Sequence, residues 1–416
     1  MSSLNANPKY DLLVKNAELI HAPGKKMSIA VAGGKIAAIA EKLGGKAGTE
    51  IDAKGMLVSE SFVNAHLHLC KVYTLQMMDE EALTHYHGAD MGKAMTAIEL
   101  AARVKENYDE AWILPNVRKA IAQAAMYGCT HIRAFADVDS KARLEGVKAL
   151  IKAREEFKGV VDVQVVAFAQ DGIVREPGAA NLMHQAMVLG ADVAGGIPWI
   201  EYTDADILEH VRVVFDLAIE FGKDVSMLVD DAGDPGLRSL EAMAVETIKR
   251  GWFGRSLAHH ARAMALYPTP YFQKVSALLK KAQMGVVSDP HTGPLHARVR
   301  DLLANGNLVC LGQDDISDAY YPFGRNNMLE VAFLGSHLLW FTSTQDICTL
   351  YEMVTVNAAR CIGLKDFQIK VGAPANLVVL NQPNVIEALR FHEAPAYTVS
   401  HGKLVDTEKY RPIAFG

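Results

Sequence analysis

Cysteine is sparse and unpatterned: the 416 residues hold five (Cys70, Cys129, Cys310, Cys348 and Cys361), an odd number with no CxxC pair. A disulfide framework needs paired cysteines, so none is built into this chain, and the usage fits a reducing compartment. Long apolar runs are missing too. No uncharged stretch approaches the roughly 20 residues that cross a bilayer, and the opening MSSLNANPKYDLLVKN lacks a basic segment leading into an apolar one. A cytoplasmic protein without a membrane partner is expected. Lys and Arg are not clustered, and the net charge is −6. That argues against nucleic acid as a partner, because neutralising phosphates takes a basic surface.

What is present is material for a large core: half the residues are hydrophobic and 22% are charged, the balance of a globular chain and not of a disordered one. The first sixty residues read as short β segments, DLLVKNAELI, MSIAVAGGKIAAIA and TEIDAKGMLV. From Leu57 onward the pattern changes to β-like runs alternating with stretches of helical period. Eight such runs are LVSESFVNAHLH, THIRAFADV, VDVQVVAFAQ, ADVAGGI, DVSMLVDD, RSLAHH, MGVVSDP and NLVCLGQDD. Eight β-strands, each followed by a helix, close into a TIM-type (β/α)8 barrel with its active site at the C-terminal strand ends. Two further helical stretches, 326–339 and 344–362, precede a tail of β character, GAPANLVVLNQ and AYTVSHGKLVD. Neither end is large enough to bury a core alone, so residues 1–58 and 365–416 are expected to pair as one discontinuous β-sandwich domain beside a barrel over 59–364.

Polar residues at the strand ends are then the candidates for chemistry. His66 and His68 in NAHLHLC lie two apart at the end of the first barrel strand, a spacing that puts both imidazoles on one face and lets them share a metal ion. Asp314 and Asp315 end strand eight, where a carboxylate can complete that metal site and take a proton from an activated water; the bland alternative is a helix cap. His259 and His260 end strand six, and strand alternation turns only one of them inward. Trp199, Tyr320 and Phe168 lie near strand ends, where aromatics either stack on a flat ring or simply pack.

HLH after strand one, QVVAFAQDG at strand three, the Asp-Asp pair at strand five, AHHARAM at strand six and GQDDISDAYYPFGRNNMLEV at strand eight together resemble the amidohydrolase superfamily. The likeness is to its cytosine deaminase and N-isopropylammelide amidohydrolase branch, over nearly the whole chain. It implies hydrolysis of a C–N bond on a nitrogen heterocycle with one divalent metal ion, zinc ahead of iron or manganese, and a homo-oligomer. Carried over by position, it implies His66, His68 and Asp314 as metal ligands, His260 beside the activated water and Gln170 on the substrate ring. The resemblance also implies the acid/base role for Asp231, and Asp315, Tyr320 and Trp199 are expected from their strand-end positions to line the substrate. The chain also departs from the pattern. Leu228 stands where relatives carry a metal-binding histidine, so Asp230 becomes a candidate replacement ligand. Phe135 stands where many have a histidine, and Cys70 follows the HLHL motif in place of an acidic residue. No lysine occurs in the strand-four segment GADVAGGIPWIEYT, which argues against a binuclear centre. Ring-opening hydrolysis of a cyclic amide and a non-catalytic ligand-binding relative are the alternatives.

Overall fold

The computed structural model describes residues 9–77, 98–99 and 101–416. Eight parallel strands form one sheet in unbroken chain order: β6 (Phe62–Leu67), β7 (Cys129–Asp137), β8 (Asp162–Phe168), β9 (Val193–Gly196), β10 (Asp224–Val229), β11 (Ser256–His260), β12 (Gly285–Ser288) and β13 (Val309–Leu311). The ends of this sheet meet at a parallel bridge between Leu67 and Asp314. There the Asp314 N–H donates to His66 O at 2.9 Å and the His68 N–H to Asp314 O at 2.8 Å. The seam that closes the barrel is thus made by three candidate site residues.

Strand alternation sorts the apolar residues into two layers. Ala134, Val165, Ala167, Met227, Ala258 and Val286 belong to the large core packed against the helices, whereas Phe135, Val166, Phe168, Val193 and Leu228 cluster inside the barrel. Val63, Ala65, Leu257, Val287 and Cys310 form a second inner cluster. Among the packed helices are α1 (Glu110–Met126), α2 (Glu145–Phe157), α3 (Ala179–Leu189), α4 (Asp204–Glu220) and α5 (Ser239–Arg250). Arg133 is the largest fully buried side chain. Its guanidinium donates to Gln164 Oε1, Ser226 Oγ and the Ile362 carbonyl at 2.8, 3.2 and 3.1 Å, so the barrel holds a hydrogen-bonded cation in its interior.

Two four-stranded sheets lie outside the barrel. β1 (Lys9–Ala17), β2 (Met27–Ala32), β3 (Lys35–Ala40) and β4 (Lys46–Asp52) form one in the order β3-β2-β1-β4. The other joins both ends of the chain: β5 (Val58–Glu60) pairs with β14 (Leu377–Val379), followed by β15 (Tyr397–Ser400) and β16 (Lys403–Leu404). One apolar cluster, including Leu12, Ile29, Ile51, Leu377, Val379 and Val399, is shared between the two sheets.

The structure departs from the sequence reading in three places. The run LVSESFVNAHLH is two strands, because the Ser61 N–H turns to the Asn376 carbonyl while the Phe62 N–H joins Gly128. The second late helical stretch, 344–362, is interrupted after Met353 and resumes at Val356. The tail also contains helices at Val385–Phe391 and Thr407–Phe415.

Candidate metal centre and active site

His66, His68, His260 and Asp314 converge at the closing seam, all buried, with their donor atoms within 4.8 Å of one another. Asp314 Oδ1 stands 3.0 Å from His66 Nε2 and 3.8 Å from both His68 Nε2 and His260 Nε2. The other carboxylate oxygen is held from behind: Thr292 Oγ1 donates to Asp314 Oδ2 at 2.7 Å, and the Arg262 guanidinium donates to Thr292 and approaches the same oxygen at 3.5 Å. Burial alone would raise the Asp314 pKa, but His260, His66 and Arg262 outweigh it and hold the carboxyl well below the ordinary range. The site thus offers one carboxylate and three imidazole nitrogens, a donor set suited to a divalent transition metal. Nδ1 of His66 and Nδ1 of His68 are buried without a hydrogen-bond partner.

The backbone explains how adjacent histidines of strand six both reach this place. The expectation that only one of His259 and His260 turns inward fails, because His260 has φ 67° and leaves the extended conformation that enforces alternation. The two rings sit 4.6 and 4.8 Å from the His66 ring, centroid to centroid. Asp230 at φ 47° and Asp314 at φ 67° are also left-handed, so three strand ends around the site adopt a conformation that is strained for residues other than glycine. Such strain persists only where surrounding contacts fix it. For Asp314 these contacts are the two seam hydrogen bonds and the Thr292 hydroxyl.

His260 Nδ1 lies 2.9 Å from Asp289 Oδ2, and its Nε2 is 4.0 Å from Asp231 Oδ2. Burial lowers the His260 pKa, yet Asp231, Asp314 and Asp289 together raise it above the usual value. Asp231 Oδ1 accepts from Arg262 Nη1 at 2.5 Å, which leaves the other carboxylate oxygen toward His260. Asp230 does not join the cluster. Its Oδ1 accepts from Ser239 N, Ser239 Oγ and Leu240 N at the start of α5, and its Oδ2 accepts from the Tyr267 hydroxyl. With both oxygens engaged, Asp230 serves the backbone and not the metal site.

The remaining candidates stand outside the four-residue donor set. Gln170 Oε1 accepts from Lys71 Nζ at 2.8 Å, and Lys71 sits over the Tyr320 ring, 4.6 Å from its centroid. Burial lowers the Lys71 pKa, but Asp137 and Asp315 more than offset this, so the ammonium is retained. Asp315 lies outside the converging donor set. Burial, together with Asp314 and Asp318, pushes its pKa well above the carboxylate norm. Trp199 packs with Phe135, Phe168 and Leu228, and its indole N–H is buried without a partner. Phe135 contacts His66 edge-on at 4.5 Å. Phe135 and Leu228, the two departures noted in the sequence, thus present an apolar surface beside the donors.

Several residues had escaped the sequence reading. Arg262 is in AHHARAM, Asp289 and Thr292 are in DPHTGPLH, and Lys71 directly follows HLHLC; their neighbourhoods were visible, but their partners were not. Glu201 and His210 form a buried pair at 2.7 Å, and Glu201 also accepts from the Ile173 and Arg175 N–H groups. That pair fixes the loops after β8 and β9, which carry Gln170 and Trp199.

Known proteins share this architecture. The chain is 32% identical over 377 residues to N-isopropylammelide isopropyl amidohydrolase of Pseudomonas sp. (strain ADP), covering 89% of this chain and 91% of that one. It is 24% identical over 375 residues to pterin deaminase of Rhizobium rhizogenes, covering 85% and 82%. The crystal structure of 5-methylcytosine deaminase from Klebsiella pneumoniae liganded with phosphonocytosine superposes with a TM-score of 0.85 at 30% identity, covering 94% of this chain and 97% of that one. Residues 49–406 match the model of the amidohydrolase family. A barrel whose seam gathers three imidazoles and a carboxylate, and a family match over most of its length, lead to one conclusion: this chain belongs to the amidohydrolase family, enzymes that hydrolyse C–N bonds.

Proposed function

We propose that the protein removes an amine from a flat nitrogen heterocycle by hydrolysis, using one divalent metal ion, zinc in the first instance with iron or manganese as alternatives. The observation that carries this reading is the convergence of His66, His68, His260 and Asp314 at the barrel seam with Asp231 alongside. An ion held by these four would supply Lewis acidity for activating water. The chain's own residues handle the protons. Asp231, fixed through Oδ1 by Arg262, turns Oδ2 toward the centre, and this carboxylate can receive a proton from the attacking water and return it to the departing nitrogen. Asp289 behind His260 orients the imidazole.

Specificity toward a ring follows from the walls. Gln170 offers both a donor and an acceptor to an amide-like edge, while Tyr320, Trp199 and Phe168 supply flat apolar surface. Lys71, 3.9 Å from Asp137 and bonded to Gln170, adds a cation beside the same edge, with Asp315 as a further candidate contact. The relatives' names support the class: an ammelide, a pterin and a methylated cytosine are all nitrogen heterocycles carrying an amino or amido group. Scattered cysteines without a disulfide support a cytoplasmic setting, and the homo-oligomer rests on the family resemblance.

The test is amine or ammonia release from a panel of amino-substituted pyrimidines, triazines and pterins, with elemental analysis of the same preparation. One equivalent of metal and turnover with an intact product ring are expected, and His66→Ala or Asp314→Asn should lower kcat/KM about 1,000-fold or more. Undiminished turnover in metal-free protein would refute the reading. An opened product ring would favour cyclic-amide hydrolysis, and metal binding without turnover a ligand-binding relative.

A further inference from the structure

His259 is fully buried inside the barrel, and neither of its ring nitrogens has a hydrogen-bond partner. An imidazole in that state is unusual. Buried polar atoms are nearly always paired, and leaving one unpaired is destabilising. Two of its near neighbours, the Phe135 ring at 5.0 Å and Leu228, its register partner on β10, have nothing to pair with it.

Its position relative to the donor cluster is the second observation. Two imidazoles bound to one ion through bonds of about 2.1 Å have ring centroids about 4.5–5.5 Å apart. From His66, the rings of His68, His260 and His259 lie at 4.9, 4.8 and 4.6 Å. His259 therefore stands in the same shell of rings as the two histidines that already converge, although its nitrogens are outside the four-atom cluster.

We propose that His259 is a further nitrogen donor of the metal centre, supplied by strand six at the level where strand five presents only Leu228. The inference rests on the reading of His66, His68, His260 and Asp314 as metal ligands. It explains why a side chain with two unpaired nitrogens is placed inside the barrel. The cost borne in the metal-free protein is returned when the ion engages the ring.

The experiment compares wild-type protein, His259→Leu and the exchange variant carrying His259→Leu with Leu228→His, each with zinc or cobalt(II) as the probe. Readouts are affinity by chelator competition, the visible absorption of the cobalt-loaded protein and the melting temperature without metal. Metal-free His259→Leu should melt above metal-free wild type, because an unsatisfied imidazole has been replaced by a side chain suited to its neighbours; this also shows that the variant folds. Its zinc affinity should fall about tenfold or more, with a changed cobalt spectrum, and the exchange variant should recover affinity. Wild-type affinity and an unchanged cobalt spectrum in His259→Leu would overturn the proposal while leaving the metal centre intact. A wild-type protein that binds neither ion would overturn the metal reading itself, and this inference with it.

Discussion

Asp230 and Asp231 are adjacent acids with opposite duties. Asp230 is fully buried and accepts from Ser239, Leu240 and Tyr267, anchoring the start of α5, whereas Asp231 faces Arg262 and His260. Asp230→Ala should therefore destabilise the protein by about 2–4 kcal/mol, from loss of several charge-assisted hydrogen bonds, and leave zinc stoichiometry at the wild-type level. Urea unfolding and elemental analysis check both halves; loss of metal at unchanged stability would instead make Asp230 a ligand. The sequence made His66, His68 and Asp314 legible because the two-residue strand period and the strand-end position locate them without any tertiary knowledge. It could not show that Asp230 turns away from the donor cluster, since that depends on one left-handed residue and on hydroxyls nine and 37 residues away.

Among the elements, the first and last barrel strands matter most for the site. Asn64 binds them together: its side-chain oxygen accepts from the His66 and Gln313 N–H groups at 3.2 and 3.0 Å, and its amide donates to Asn326 at 2.8 Å. Asn64→Ala removes all three links and loosens the register between His66 and Asp314. Zinc affinity should drop about 10- to 100-fold, the range for loss of support behind metal ligands, while far-ultraviolet circular dichroism stays near wild type; chelator competition measures the drop. All eight barrel strands were legible, because each is an apolar run followed by a helical period. The break at Ser61 was not, since periodicity reports that a segment is extended without telling which sheet it joins. The two tail helices are short, at seven and nine residues, and Asn384 and Asp406 at their starts were the signals available.

On the scale of the whole molecule, the barrel floor meets the terminal sheets at His131, Asp162 and His401. His401 Nε2 lies 2.8 Å from Asp162, and His131 Nε2 lies 3.6 Å from the same carboxylate. Burial pushes the His131 pKa down to about 4, against the opposing pull of Asp162. The unfolded chain, with an ordinary histidine near 6.5, takes up the proton first as pH falls. Stability contributed by this group is thus full above about pH 6.5 and is lost progressively toward pH 4, by on the order of 3 kcal/mol. The half-exposed His401, with its pKa raised by Asp162, acts in the opposite sense: its contribution is present at low pH and fades as pH rises above the ordinary value. Urea unfolding between pH 4 and 7.5 should give a shallower acid slope for His131→Asn than for wild type.

The division at Ser61 has a consequence for how such a protein can be rebuilt. Val58–Glu60 is locked to β14 and Phe62–Leu67 to β7, with a single residue between them and the two candidate metal-site histidines at the far end. The pleat alternates every residue, so one added or deleted residue at this joint reverses which way every side chain of the following strand points. The terminal sheets and the barrel are therefore not interchangeable modules. Any graft between relatives has to carry residues 57–68 as one piece, because the phase of the outer sheet is what aims His66 and His68 at the seam.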